Sequence, residues 1–452
     1  MRIPSRRLTA FSSGVVSTIT LSVSLALSLA SAPSAGAAPS PINPNNRPTA
    51  LAGAVNGVVP ATRLVNVGPN CSAAREAGPS LARIFAMARE INDALGAEQC
   101  YRPLSDEVKF ARQAAQPGNN PACVATVGTA ANGTPVGRSY HGWGKAADLT
   151  DAGRSLTFAS PGYEVMKQIA GSLGWNHPAF AEPGGSSCPE PWHWEWVGDG
   201  GNLGGASIRG DAVALLPSAD DHGYATVDGL GGLGVHGDFV NRGTATSIPI
   251  AWVMVGAAPT HDRGGYWMVG ADGGVFSFGD ARFFGSTASF PLAQPVNGIA
   301  PTVSGKGYWL LAWDGGVFSF GDARFFGSTG AMRLNRPVVG MAPTPTGKGY
   351  WLVASDGGIF SYGDARFFGS MGGQRIVSPI VGMAPTPSGK GYWLVASDGG
   401  IFSFGDATFF GTHSIVPGTS SPYVGMVPTR SGRGYWLEDA AGDVFAFGDA
   451  RA

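Results

Sequence analysis

The pair Gly-Tyr recurs at Gly223, Gly265, Gly307, Gly349, Gly391 and Gly434, at intervals of 42, 42, 42, 42 and 43 residues. A period of that length restricts the C-terminal half to a chain of like supersecondary units, because one such unit is too small to bury its apolar face alone. A full unit runs Gly349-Tyr350-Trp351-Leu352-Val353-Ala354-Ser355-Asp356-Gly357-Gly358, then Ile359-Phe360-Ser361-Tyr362-Gly363-Asp364-Ala365, then Arg366-Phe367-Phe368-Gly369-Ser370. Short aromatic and β-branched runs alternate with Asp-Gly and Gly-Asp turns, and Pro-rich connectors separate the units. Six small antiparallel sheets of this length match the blades of a propeller, so residues 205–452 are expected to form a six-bladed β-propeller. The rival is an open β-solenoid, which needs capping ends not visible in the chain. The first copy is degenerate (Gly223-Tyr224-Ala225), the last stops before its Phe-Phe-Gly-Ser, and a strand-like run, Ala206 to Leu216, precedes the first. That offset predicts that one end of the array completes the blade at the other.

Asp272, Asp314, Asp356 and Asp398 recur in Asp-Gly-Gly, and Asp280, Asp322, Asp364, Asp406 and Asp449 in Gly-Asp-Ala. Asp beside Gly is turn chemistry before it is a ring of ligand sites. The recurring Tyr-Trp and Phe-Phe read as blade core. His222, His236, His261 and His413 do not recur at the repeat period and suggest no repeated metal site.

Only 13% of the 452 residues are charged, 70 are Gly, and the formal net charge is −1. This composition fits turn-rich β structure and gives no bulk attraction to nucleic acid. Residues 1–37 read as an export signal. Arg2, Arg6 and Arg7 precede an apolar run from Val15 to Ala30, and small-residue sites follow at Ala30-Ser31-Ala32 and Ala35-Gly36-Ala37. The run is short, and Pro/Ser/Asn-rich sequence follows it. Cleavage, and no membrane span afterwards, is therefore expected, with residues 38–60 as a flexible leader. Cys71, Cys100, Cys123 and Cys188 are the four cysteines. In an exported chain they predict two disulfides, in one of three pairings.

Residues 61–200 carry mixed α and β signals. Helices are predicted over Ser80 to Gly96, from a cap at Ser105, and from Ser160-Pro161; Trp192 to Val197 reads as a strand. Two stretches carry the chemistry: Ser139-Tyr140-His141-Gly142-Trp143-Gly144-Lys145-Ala146-Ala147-Asp148 and Glu190-Pro191-Trp192-His193. The small residues between His141 and Asp148 permit a tight bend that turns both toward one point. Strand alternation sets Trp192, Trp194 and Trp196 on one face and His193 and Glu195 on the other. Two imidazoles, one ligating carboxylate and one spare carboxylate are the inventory of a catalytic zinc site. His177, before Pro178, reads as structural or pocket-lining.

Ser139-x-His141-x-x-Gly144-x-Ala146-x-Asp148 followed by Glu190-x-x-His193 resembles the signature of the VanY-type D-alanyl-D-alanine carboxypeptidases, zinc peptidases of bacterial peptidoglycan. The resemblance covers about 140 residues, Ala61 to Gly200. It implies an α+β domain with its site on a central antiparallel sheet, Zn2+ held by His141, Asp148 and His193, and Glu190 as general base. It further implies that Arg102, in the pair Tyr101-Arg102, steadies the developing oxyanion, and that Ser139 serves substrate binding or support; Tyr101 and Trp192 are read as further substrate-binding residues. The chain departs from the pattern at Cys100 and Pro103, which flank that pair, and at Lys145. Glu195 competes with Glu190 for the role of base. The expected molecule is thus a secreted, wall-associated peptidase acting on stem peptides, its repeat domain binding the wall or a protein partner. Endopeptidase action, and an inactive peptidase-like scaffold, are the alternatives.

Overall fold

A computed structural model describes residues 48, 50–90, 94–114, 128–129, 135–136, 139–170, 173–184, 189–197, 212–414 and 421–451. The export signal, Cys123, Cys188 and the Gly-rich joint from Gly198 to Gly205 lie outside the described residues. The described chain is mostly β, with few helices and many small three-stranded sheets. No described helix is long and apolar enough to cross a membrane.

The N-terminal portion begins with a hairpin, β1 (Leu64–Gly68) and β2 (Cys71–Ala74), followed by α1 (Gly78–Glu90), β3 (Leu95–Gln99) and α2 (Leu104–Ala114). Two short strands follow, β4 (Gly128–Thr129) and β5 (Pro135–Val136). Then come β6 (Ala146–Asp151), β7 (Arg154–Ser155), α3 (Pro161–Ile169), β8 (Trp175–Asn176) and β9 (His193–Trp196). A five-stranded antiparallel sheet forms in the order β3-β6-β9-β8, with β7 on β6. Its central strands β6 and β9 are buried on both faces, as their Ala, Leu and Trp content requires.

Three local readings are corrected. The first helix ends at Glu90, and Leu95, read as its last apolar position, pairs with Asp151 in the sheet. Ser80 lies inside that helix, where its hydroxyl donates to Ala77 O and accepts from Trp175 Nε1. The second helix starts at Leu104, one residue before the expected Ser105 cap, just after Pro103. Residues 50–60, read as flexible leader, pack on this portion: Leu51, Asn56 and Val59 are buried.

The repeats form six three-stranded antiparallel sheets, each from consecutive strands. The first comprises β10 (Ala212–Pro217), β11 (Tyr224–Asp228) and β12 (Leu233–His236). Each unit therefore opens one strand before its Gly-Tyr. The Pro-rich stretch read as a connector is itself a strand, as in Val338–Pro343, whose Pro faces Tyr350 across the pair. Of the run before the first copy, Ala212 to Leu216 pairs within the first sheet, and residues 206–211 lie outside the described residues. The recurring Tyr and Trp are buried throughout copies two to six. Each Asp of Asp-Gly-Gly accepts a hydrogen bond from the Gly two residues on, as Gly358 N to Asp356 Oδ1 at 2.9 Å. Each Asp of Gly-Asp-Ala accepts from a Thr hydroxyl, as Thr344 to Asp364 at 2.9 Å. Both sets are therefore occupied in turn chemistry.

First strands of successive sheets lie side by side, and β10 lies beside both Met254–Pro259 and Tyr423–Pro428. Each first strand carries a bulge at one residue: Val213, Val255, Asn297, Val339, Val381 or Val424. All six bulge residues line one cavity of about 130 Å³, whose other wall is Pro79, Ala82, Arg83 and Ala86 of α1. Around it the two portions share a core. Asn66 N donates to Ala251 O at 3.0 Å, Val253 N donates to Asn66 O at 3.2 Å, and Gly229 has no room for a side chain beside Pro79.

Candidate metal centre

His141 sits in a single 3-10 turn, Tyr140–Trp143, between two local devices. Ser139 caps the turn, its hydroxyl accepting from His141 N at 3.2 Å, and Gly144 leaves it with φ 69°, a left-handed conformation that suits glycine. Gly142 is equally constrained, because a side chain there would run into Asn56 Oδ1 and Glu107 Oε1. The turn delivers the chain into β6, where Asp148 stands directly opposite His193 of β9.

Three donor atoms converge. His141 Nε2 lies 3.1 Å from Asp148 Oδ1 and 3.2 Å from His193 Nδ1, and His193 Nδ1 lies 3.1 Å from Asp148 Oδ1. The far nitrogen of each imidazole is held from behind. His141 Nδ1 donates to Cys100 O at 2.7 Å, which fixes the tautomer that leaves Nε2 as a lone pair. His193 Nε2 meets Glu195 Oε1 at 3.2 Å. The Cys71–Cys100 disulfide supports the first of these contacts from β2. Tetrahedral ligands bonded to one ion at about 2.0–2.1 Å stand about 3.3–3.4 Å apart, so this donor set fits a metal ion.

The electrostatics agree. Burial disfavours an ionised Asp148, yet His141 and His193 overcome it and hold the carboxyl well below the usual range. Burial depresses His141. Burial would likewise depress His193, but its hydrogen bonds to Asp148 and Glu195 prevail and push it up to about 10. Without a cation, a proton on His193 joins the two carboxylates, and a metal ion would replace it.

The remaining predicted residues separate into two groups. Glu190 is half-buried, near enough to the centre to feel its charges. Burial raises its carboxyl, Asp148 and Glu195 add to the rise, and His193 and Arg102 oppose it. Its backbone carbonyl accepts from His193 N and from His177 Nε2, both at 3.0 Å. His177 also pairs with Glu182 and packs on Trp194, in keeping with a structural reading. Arg102 reaches the centre, where its guanidinium donates to Asp148 Oδ2 at 2.9 Å and to Gln99 Oε1 at 2.6 Å.

Tyr101, by contrast, points elsewhere: its hydroxyl donates to Gly57 O and accepts from Val59 N, tying down residues 50–60. Trp192 is half-buried against the core and its carbonyl accepts from Leu149 N. Ser139 acts as the cap described above. Lys145 is buried against Trp196 and pairs with Glu76 at 3.4 Å. Glu195, the other candidate base noted from the sequence, stands behind His193 with Oε1 at its Nε2. Sequence reasoning missed Gln99 and Cys100 O, which touch the site through pairing and backbone and have no motif of their own.

A second group with metal-ligand chemistry, Asp220, His222 and Asp238, lies exposed at the turn of the first repeat. No family model and no curated protein matches the chain.

Proposed function

We propose that the protein is an exported zinc peptidase that cleaves D-Ala-containing peptidoglycan stem peptides, in the manner of a D-alanyl-D-alanine carboxypeptidase. The observation that carries this reading is the convergence of His141 Nε2, Asp148 Oδ1 and His193 Nδ1 beside a spare, partly buried carboxylate, Glu190. Two His and one carboxylate leave a fourth position open, the arrangement of catalytic rather than structural zinc. A bound zinc ion supplies Lewis acidity, polarising a carbonyl and making water more acidic.

This chain's own residues supply the rest. Glu190, with its carboxyl raised, accepts a proton from the attacking water and returns it to the departing amine. Arg102 provides a fixed positive charge at the centre for the oxygen that becomes negative, and shares itself with Asp148. Glu195 and Cys100 O hold the two imidazoles in their ligating orientation. The repeats are proposed to close as a six-bladed β-propeller, since six bulge residues, one per sheet, gather about one cavity and β10 lies beside the first strand of the sixth sheet. That body would carry and position the peptidase portion.

The test is product analysis by mass spectrometry. The full chain and its Glu190→Gln variant are incubated with Zn2+ and a stem pentapeptide ending in D-Ala-D-Ala. Release of one D-Ala by the unaltered chain alone is expected. No release, together with intact cross-linked muropeptides, would overturn the reading.

A further inference from the structure

We propose that Phe283, Phe325, Phe367 and Phe409 form a multivalent rim that binds the cell-wall polymer itself, its sugar faces and the carboxylates of its peptides. The inference rests on the wall-peptidase reading above for the identity of the polymer.

Each Phe-Phe pair divides its labour. The second ring packs on the Tyr of the next repeat: Phe284 on Tyr308 at 5.7 Å, Phe326 on Tyr350 at 5.6 Å, Phe368 on Tyr392 at 5.8 Å and Phe410 on Tyr435 at 5.8 Å. The first ring is exposed every time, at 60%, 60%, 61% and 55%. Packing accounts for the buried ring, and the exposed one stands free at four equivalent places, available to a ligand.

The segment that presents it is irregular in conformation but held at both sides. The repeat's own Trp indole donates to the carbonyl just before the exposed Phe: Trp267 to Arg282 O, Trp309 to Arg324 O, Trp351 to Arg366 O and Trp393 to Thr408 O, at 2.7–2.8 Å. The next repeat's Tyr hydroxyl donates to the Gly carbonyl after the pair, as Tyr308 to Gly285 O at 2.6 Å. The backbone that presents the exposed rings is therefore fixed before any ligand arrives, which lowers the ordering cost of binding.

Arg282, Arg324 and Arg366 precede three of the rings, are exposed, and form no ion pair among the described residues. A single exposed ring in each of four sheets, three times beside a free guanidinium, is not the contiguous apolar centre of a protein interface. It suits a polymer that offers an apolar sugar face and a carboxylate at every repeat. Individually weak contacts then add through effective concentration.

The experiment is co-sedimentation of the full chain with purified peptidoglycan sacculi, in three forms: unaltered, Glu190→Gln, and Phe283→Ser/Phe325→Ser/Phe367→Ser/Phe409→Ser. Melting temperature and hydrolysis of the soluble stem peptide are measured on each. The unaltered and Glu190→Gln chains are expected to pellet alike. The quadruple variant should keep its melting temperature and lose at least about tenfold in retention. Failure of the unaltered chain to pellet, or equal retention of a folded quadruple variant, overturns the inference. Retention without hydrolysis overturns only the peptidase reading, and hydrolysis without retention overturns only the rim.

Discussion

Asp148 faces His193 across the β6–β9 pair and divides its carboxylate, Oδ1 turned to both imidazoles at 3.1 Å and Oδ2 to Arg102 at 2.9 Å. One carboxylate thus balances two different kinds of positive group. Asp148→Asn keeps the shape and removes the charge, so it should weaken Zn2+ binding by more than the about 10–100-fold that loss of a supporting partner costs. Competition against a chromogenic chelator reads this directly. Unchanged affinity would remove Asp148 from the ligand set.

The two glutamates of the site should separate cleanly. Glu195→Gln loosens the hold on His193 Nε2, so metal affinity should fall about 10–100-fold, with peptide hydrolysis restored by saturating Zn2+. Glu190→Gln should leave metal affinity within about twofold and lower hydrolysis by about 10²–10⁴ at any zinc concentration. The opposite pattern would exchange their roles.

Much of the centre was legible in the sequence, and the remainder was hidden for definite reasons. Alternation along Trp192 to Val197 already set His193 and Glu195 on one side, and the structure keeps them in contact. What alternation does not contain is which nitrogen of His193 each carboxylate meets, since that depends on Asp148 lying opposite in another strand. Tyr101 and Arg102 are adjacent in a motif yet point to different places, because the hydroxyl of one is taken by Gly57 and Val59. In the repeats, period and core aromatics were readable, but the frame was off by one strand. Gly and Pro in stretches such as Val338–Pro343 signal turns locally, and only pairing with Gly349–Ala354 shows that they lie in a sheet.

The Cys71–Cys100 bridge should matter both to stability and to the metal. It closes a segment of 29 residues, for which the chain-entropy argument gives about 3–4 kcal/mol. The carbonyl of Cys100 also orients His141. Cys71→Ser is expected to lower the denaturant midpoint and to weaken Zn2+ binding together. A loss of stability with unchanged metal affinity would show that His141 is oriented without the bridge.

The sixth repeat carries an inconsistency that should be measurable as a pH effect. Where earlier copies place Val269, Leu311, Val353 and Val395 in the second strand, this one places Glu438, fully buried opposite Val444 with Oε1 lacking a hydrogen-bond partner. Burial drives its carboxyl well above the ordinary range, and Asp439 adds to the rise. Asp439 itself, at the position of Ala354 and Ala396, is pushed up to about 7 by burial, with Asp443 contributing. Both acids titrate higher in the folded chain than in the unfolded one, near pH 4. Between those values the folded state binds more protons, so stability must fall as pH rises from about 4 through 7. Glu438→Val restores the repeat's apolar residue and removes one of the two acids. It should raise stability at pH 8 by about 1–3 kcal/mol, with a smaller gain at pH 5. Thermal melts of both chains at the two pH values test this, and an equal or lower melting temperature for the variant at pH 8 would show that the Glu438 carboxyl is stabilised within the sheet.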